Sequence, residues 1–187
     1  MIDISLEREL VAPERIEGVR LLRPQSFADN RGFFLEVFRE DEVGARFVQA
    51  NHSHSRAGVL RGLHHHRIQS DAWYVVHGRA RAALVDLRDP RVLPVATVEL
   101  SGDDPATLVI PPGVAHGFLA LEDLDLVYWV THPYDASDEH SLAWNDPKAA
   151  VPWGVSDPIL SDRDHAAPAL LTALATVLAP SPQGGPV

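Results

Sequence analysis

The sequence predicts an all-β fold, a sandwich or closed barrel, and three features predict it. Short β-branched or aromatic runs recur along most of the chain, Gly, Pro and Asp punctuate them at close spacing, and helix signals are few. The 15 prolines suit many strand ends and turns. In order, the expected strands are residues 18–22 (GVRLL), 32–38 (GFFLEVF) and 72–76 (AWYVV), the last running into the turn signal His77-Gly78. Residues 79–87 (RARAALVDL) alternate only in part and stop at Asp89-Pro90, and 95–100, 106–110 and 124–130 follow. Residues 40–46 are expected to make one or two helical turns. Residues 168–178 (PALLTALATVL) read as a C-terminal helix, with a proline at its start and Pro180 as its stop; its apolar content calls for packing against the domain or a partner subunit.

With 187 residues the chain is expected to form one domain over 1–179, with a disordered tail at 180–187 (PSPQGGPV). Cysteine is absent, which removes disulfides, thiolate nucleophiles and Cys-based metal sites, and fits a cytoplasmic protein. No basic-then-apolar leader is visible and no apolar run approaches ~20 residues, so neither secretion nor a membrane span is expected. The 16 Lys and Arg against 26 Asp and Glu give a net charge of −10, which disfavours nucleic-acid polymers but allows a local cationic pocket for one small anion.

Histidine is the unusual component: ten in all, six of them between positions 52 and 77. On one strand, His64 and His66 would share a face, because side chains alternate. Asp71 follows shortly, and His116 comes after a Pro-Gly turn in PPGVAHG. Two histidines, a carboxylate and a distant third histidine make a candidate first-row metal set: His64, His66, Asp71 and His116. The bland alternative is that these histidines line a barrel and hydrogen-bond to neighbours or substrate.

The spacing Gly58, His64-x-His66, Asp71, Gly78, followed by Pro111-x-Gly113-x-x-His116, resembles the cupin superfamily, with Asp in place of the usual Glu. That likeness implies a double-sheet β-barrel (a jelly roll) with, here, a short C-terminal helix. A more specific resemblance, to the dTDP-4-dehydrorhamnose 3,5-epimerase family, rests on DNRGFFLEVF (29–38), FVQANHSHS (47–55), GVLRGLH (58–64), VDLR (85–88), IPPGVAHGF (110–118), YWVTHPY (128–134), WNDP (144–147) and PILSDRD (158–164). These blocks occur in family order. The resemblance implies a homodimer that binds a dTDP-4-keto-6-deoxyhexose and inverts carbons beside the ketone, with no cofactor required.

Carried over residue by residue, the resemblance makes His64 the base, Asp164 the carboxylate that orients it, and Tyr128 the opposing acid. Imidazole suits a base at working pH, and a phenol stays protonated to donate. Arg61 and His116 match positions near the diphosphate, and Tyr134 an aromatic near the nucleotide end of the sugar. Arg31, Phe34, Glu36, Gln49 and Asn51 match positions around the thymidine and phosphates, some reached from the neighbouring subunit. Arg163 stands where the family often has Lys or Arg. The remaining histidines, at 52, 54, 65, 77, 132, 140 and 165, carry only structural readings.

One departure matters. Seven residues before Gly78 the family has a Lys thought to stabilise the enolate oxygen; this chain has Asp71, which would repel an enolate. Either another group such as Arg67 or a histidine substitutes, or one divalent metal on the His/Asp set takes over, or the pocket binds sugar nucleotides without epimerising them. Epimerase is the leading expectation; a metal-dependent cupin or a binding protein is the alternative.

Overall fold

The structure is a computed structural model that describes residues 7–89 and 91–177. The expected tail at 180–187 lies outside the described residues, as do 178 and 179. In chain order the strands are β1 (Glu7–Leu10), β2 (Arg20–Leu22), β3 (Ser26–Asp29), β4 (Gly32–Leu35), β5 (Gln49–Ser55), β6 (Leu60–His65), β7 (Asp71–His77), β8 (Arg79–Asp86), β9 (Val92–Ser101), β10 (Thr107–Ile110), β11 (Val114–Ala120), β12 (Leu124–Val130) and β13 (His140–Ser141). The helices are α1 (Glu40–Val43), α2 (Asp162–His165) and α3 (Leu170–Val177).

A six-stranded sheet, in the order β1-β9-β8-β11-β6-β13, faces a five-stranded sheet, β2-β10-β7-β12-β5; β3 and β4 form a separate hairpin. The double-sheet barrel expected from the motifs is therefore the observed architecture. Between the sheets, Val75, Leu84, Leu108, Phe118, Leu124 and Leu126 pack into the central core. A second core lies on the outer face of the larger sheet, where Leu60, Leu63, Val85 and Leu93 meet Leu142, Trp153 and α3. Its residues Leu170, Ala173 and Leu174 are buried against the domain, which is where the helix's apolar content goes. The weak alternation of RARAALVDL follows from this. Ala82 and Leu84 face the inner core while Ala83 and Val85 face the outer one, so β8 is buried on both sides.

Several expected boundaries move. The strand expected over 32–38 stops at Leu35, opposite Ser26 where its antiparallel partner β3 begins, and the helix expected over 40–46 stops at Val43, capped by Gly44 in the left-handed conformation. In the opposite direction β9 begins at Val92 and runs through Pro94, because its neighbour on that side is the short parallel strand β1. No described helix is long and apolar enough to cross a membrane.

Candidate active site

A cavity of about 390 Å³ opens between the two sheets, lined from β5, β6, β7, β11, β12 and the segment after β12. Its geometry starts from a close strand contact. A Cβ on Gly62 would lie 2.6 Å from Gly117 Cα and 2.9 Å from the His116 carbonyl, so only glycine lets β6 approach β11 there. That approach sets His64 opposite His116 across the β6–β11 ladder.

His64 Nε2 lies 2.6 Å from Asp164 Oδ1. An ionised carboxylate only accepts, so Nε2–H is the donor and Nδ1 is the free nitrogen of a neutral ring. Asp164 sits in α2 and is 4% exposed. Ser161 caps this helix: its Oγ accepts from the Asp164 N–H at 3.1 Å and donates to Oδ2 at 2.9 Å. Burial works to raise the Asp164 pKa, but the hydrogen bond and charge of His64, with Ser161 and the Gly62 N–H, outweigh it and hold the carboxyl below its usual range. The pair is thus a carboxylate-oriented imidazole at the cavity wall.

Tyr128 comes from β12, in the opposite sheet, paired with Asn51 and Trp73. Burial, then the negative charges of Asp71 and Glu139, push its hydroxyl pKa up, with Arg61 opposing. It therefore stays protonated across neutral pH. Gln49 and Asn51 line the cavity from β5, joined by a 2.7 Å bond from Gln49 Nε2 to Asn51 Oδ1. Arg61 also lines it, with its guanidinium anchored on Ser55 Oγ at 2.9 Å and the His54 carbonyl at 3.0 Å. Tyr134 is an exposed cavity-lining side chain.

Other sequence-picked residues stand elsewhere. Arg31 is bound to Asp29, Phe34 is exposed on the β3–β4 hairpin, and Glu36 pairs with Arg39 at 3.6 Å; none lines the cavity of its own chain. Arg163 likewise does not line the cavity; it binds the lining residue Glu139 and, at 3.2 Å, Ser141 Oγ. The four-residue metal set needs correction. His66, Asp71 and His116 bring one ligand atom each within 4.8 Å of one another, but His64 is outside the group, its Nε2 committed to Asp164. His116, which follows the Pro-Gly turn in sequence, is a strand residue. It lies in β11 and is 5% exposed, and burial pushes its pKa down against the pull of Asp71.

Sequence reading missed four contributors. Trp73 Nε1 donates to Asp71 Oδ2 at 3.1 Å, the Asp138 carbonyl accepts from His66 Nδ1 at 3.0 Å, His132 lines the cavity, and Ser161 supports Asp164. Trp73 alone carried a signal, the period-two spacing from Asp71 on one strand. His65 keeps its structural reading: burial foremost, then His140 and the other nearby histidines, push its pKa down to about 3, so it stays neutral.

The chain matches the family model described as dTDP-4-dehydrorhamnose 3,5-epimerase over residues 13–172. A dTDP-4-dehydrorhamnose 3,5-epimerase of Salmonella typhimurium is 38% identical over 180 residues, which is 89% of this chain and 98% of that one. One from Neisseria gonorrhoeae is 42% identical over 162 residues, 81% of this chain, but is longer, and the match spans about half of it (49%). Among solved structures, a dTDP-6-deoxy-D-glucose-3,5-epimerase from Legionella pneumophila, in complex with dTDP-4-keto-L-rhamnose, superposes with a TM-score of 0.81 at 34% identity, covering 89% of this chain and 95% of the other.

Proposed function

The chain belongs to the dTDP-4-dehydrorhamnose 3,5-epimerase family, and from that premise we propose how its cavity epimerises a dTDP-4-keto-6-deoxyhexose. The observation that carries the mechanism is His64, on one sheet and held by Asp164 of α2, facing a cavity whose other wall holds a protonated Tyr128. His64 Nδ1 takes the proton from a carbon beside the ketone, and the C–H electron pair moves onto the ketone oxygen. Asp164 supports the imidazolium that results and keeps its ring fixed. Tyr128 then gives its hydroxyl proton to the same carbon from the opposite face, which inverts it. Solvent restores the phenol and removes the proton from His64. No net oxidation occurs, so the reaction needs no redox cofactor.

Arg61 is assigned to the diphosphate, where its anchored guanidinium offers a fork for phosphate oxygens. Gln49, Asn51 and Tyr134 are assigned to the nucleotide side of the cavity. Asp71 gives the enolate oxygen no help while it is a bare carboxylate.

The hairpin supports a homodimer. Phe27, Phe33 and Phe34 are 52%, 71% and 61% exposed on a two-stranded sheet joined to neither main sheet. A second copy accepting this hairpin would cover them and bring Arg31, Phe34 and Glu36 to its own cavity. Phe33→Ala with Phe34→Ala is expected to yield monomers with weaker dTDP binding in light scattering and calorimetry; an unchanged dimer would rule out the hairpin as interface.

The activity is tested by incubating purified protein with dTDP-4-keto-6-deoxyglucose and resolving the products by NMR. An epimer inverted at C3, C5 or both is expected. Recovery of unchanged substrate from folded, dTDP-binding protein would overturn the assignment.

A further inference from the structure

The wall of the cavity beside Tyr128 holds three groups the proton chemistry does not use. His116 Nδ1 is 2.9 Å from the Val114 carbonyl, and His66 Nδ1 is 3.0 Å from the Asp138 carbonyl. A carbonyl only accepts, so each ring carries an N–H on Nδ1, and in the neutral ring Nε2 is the lone-pair nitrogen. Asp71 is fixed between them, with Oδ1 accepting from Gln69 Nε2 at 2.8 Å and Oδ2 from Trp73 Nε1 at 3.1 Å. His116 Nε2 and Asp71 Oδ2 face each other at 3.7 Å, beyond hydrogen-bond length, and both are about nine-tenths buried or more. Two lone-pair atoms facing each other across 3.7 Å at the cavity wall leave room for a cation between them.

We propose that His66, Asp71 and His116 bind one divalent first-row transition-metal ion. Two imidazole nitrogens and one carboxylate suit zinc, cobalt, nickel or iron(II) rather than magnesium or calcium, which favour all-oxygen sites. Ligands at ~2.1 Å from a metal stand roughly 3.0–3.5 Å apart. The Asp71–His116 edge is within a few tenths of an ångström of that, and all three atoms lie within 4.8 Å, so binding an ion would draw the half-buried His66 inward. Backbone carbonyls fixing both Nδ1 atoms are the outer contacts that orient metal-binding histidines. Asp138 and Glu139 also line the cavity, Glu139 already paired with Arg163. His64 is left free as the base, because its own Nε2 is held by Asp164. On the epimerase reading, an ion held by these three cavity-lining residues would supply Lewis-acid chemistry to the ketone oxygen in place of a cationic side chain.

The test uses the full chain without a His tag, stripped with chelator and titrated with Co²⁺, followed by ligand-field absorption and elemental analysis. One Co²⁺ per chain is expected, with affinity weakened at least ~100-fold in both His66→Ala and Asp71→Asn. His66 is half-buried, so His66→Ala keeps the test open if the buried Asp71 variant fails to fold. Retained circular dichroism and melting temperature identify variants that remain folded. His52→Ala with His54→Ala, which removes the exposed histidines beside Asp125, should bind Co²⁺ normally. The proposal is overturned if the folded wild type takes up no Co²⁺, if folded His66→Ala binds as tightly as wild type, or if the His52/His54 variant alone loses the ion. Absence of metal with His116 protonated against Asp71 would be the first of these outcomes. Because the readout is the ion alone, such a result leaves the epimerase assignment standing.

Discussion

Two histidine–carboxylate pairs stand in one cavity and are built in opposite ways. In His64–Asp164 the carboxylate touches the ring at 2.6 Å, so the carboxylate sets the tautomer and the free nitrogen is Nδ1. In His116–Asp71 the carboxylate stands off at 3.7 Å and a backbone carbonyl sets the tautomer, leaving Nε2 unprotonated. The first ring is partly open, its side chain 24% exposed, while the second is buried. An imidazole that must gain and lose a proton needs a counter-charge in contact and access to substrate. One whose lone pair faces a carboxylate across a gap is arranged to share a cation. The residue types are the same; the partner of the other ring nitrogen separates their roles.

The comparison is broken most sharply at His64. His64→Asn should lower turnover by about 10⁴-fold and abolish proton exchange, since it removes the base while sparing the fold. Tyr128→Phe should cost about 10²–10⁴-fold in epimer formation while His64 still exchanges the abstracted proton. Inversion lost together with exchange would move the first proton transfer to Tyr128. Asp164→Asn should cost about 10²-fold in kcat, measured against KM, because the amide can turn its NH₂ to the ring and favour the wrong tautomer.

The same pair has a pH signature. The folded Asp164 pKa lies below the unfolded value of ~3.9, so folding favours the ionised form. Its stabilisation is full above ~4 and is lost as pH falls through the lowered folded value. The melting-temperature difference between wild type and Asp164→Asn should therefore be constant near neutral pH and shrink below about pH 4. The smallest effect on chemistry belongs to the outer core: Leu174→Ala should cost about 2–4 kcal/mol by chemical denaturation and leave kcat unchanged at low temperature.

The parts of the fold legible in sequence were those with an apolar face or an apolar run. β7, β8, β10 and β12 were found within a residue or so, and α3 was bracketed by its prolines. Three of the five strands that line the cavity, β5, β6 and β11, were not. β5 reads QANHSHS because its inward side chains line a wet pocket, so hydrophobic alternation is missing. β6 and β11 carry Gly62 and Gly117 where they touch, and glycine reads as a turn. His64, Tyr128 and Asp164 came from the family resemblance, because no spacing rule joins residues a hundred positions apart. The exclusion of His64 from the metal set depended on the distances between side-chain atoms, and a sequence holds no such information.

The most direct test follows deuterium from solvent into the carbons beside the ketone of dTDP-4-keto-6-deoxyglucose, comparing wild type with His64→Asn and Tyr128→Phe. The expected result is label in wild-type product, label in substrate recovered from Tyr128→Phe, and none from His64→Asn. Label appearing with His64→Asn at the wild-type rate would contradict His64 as the base and the division of labour between the two pairs.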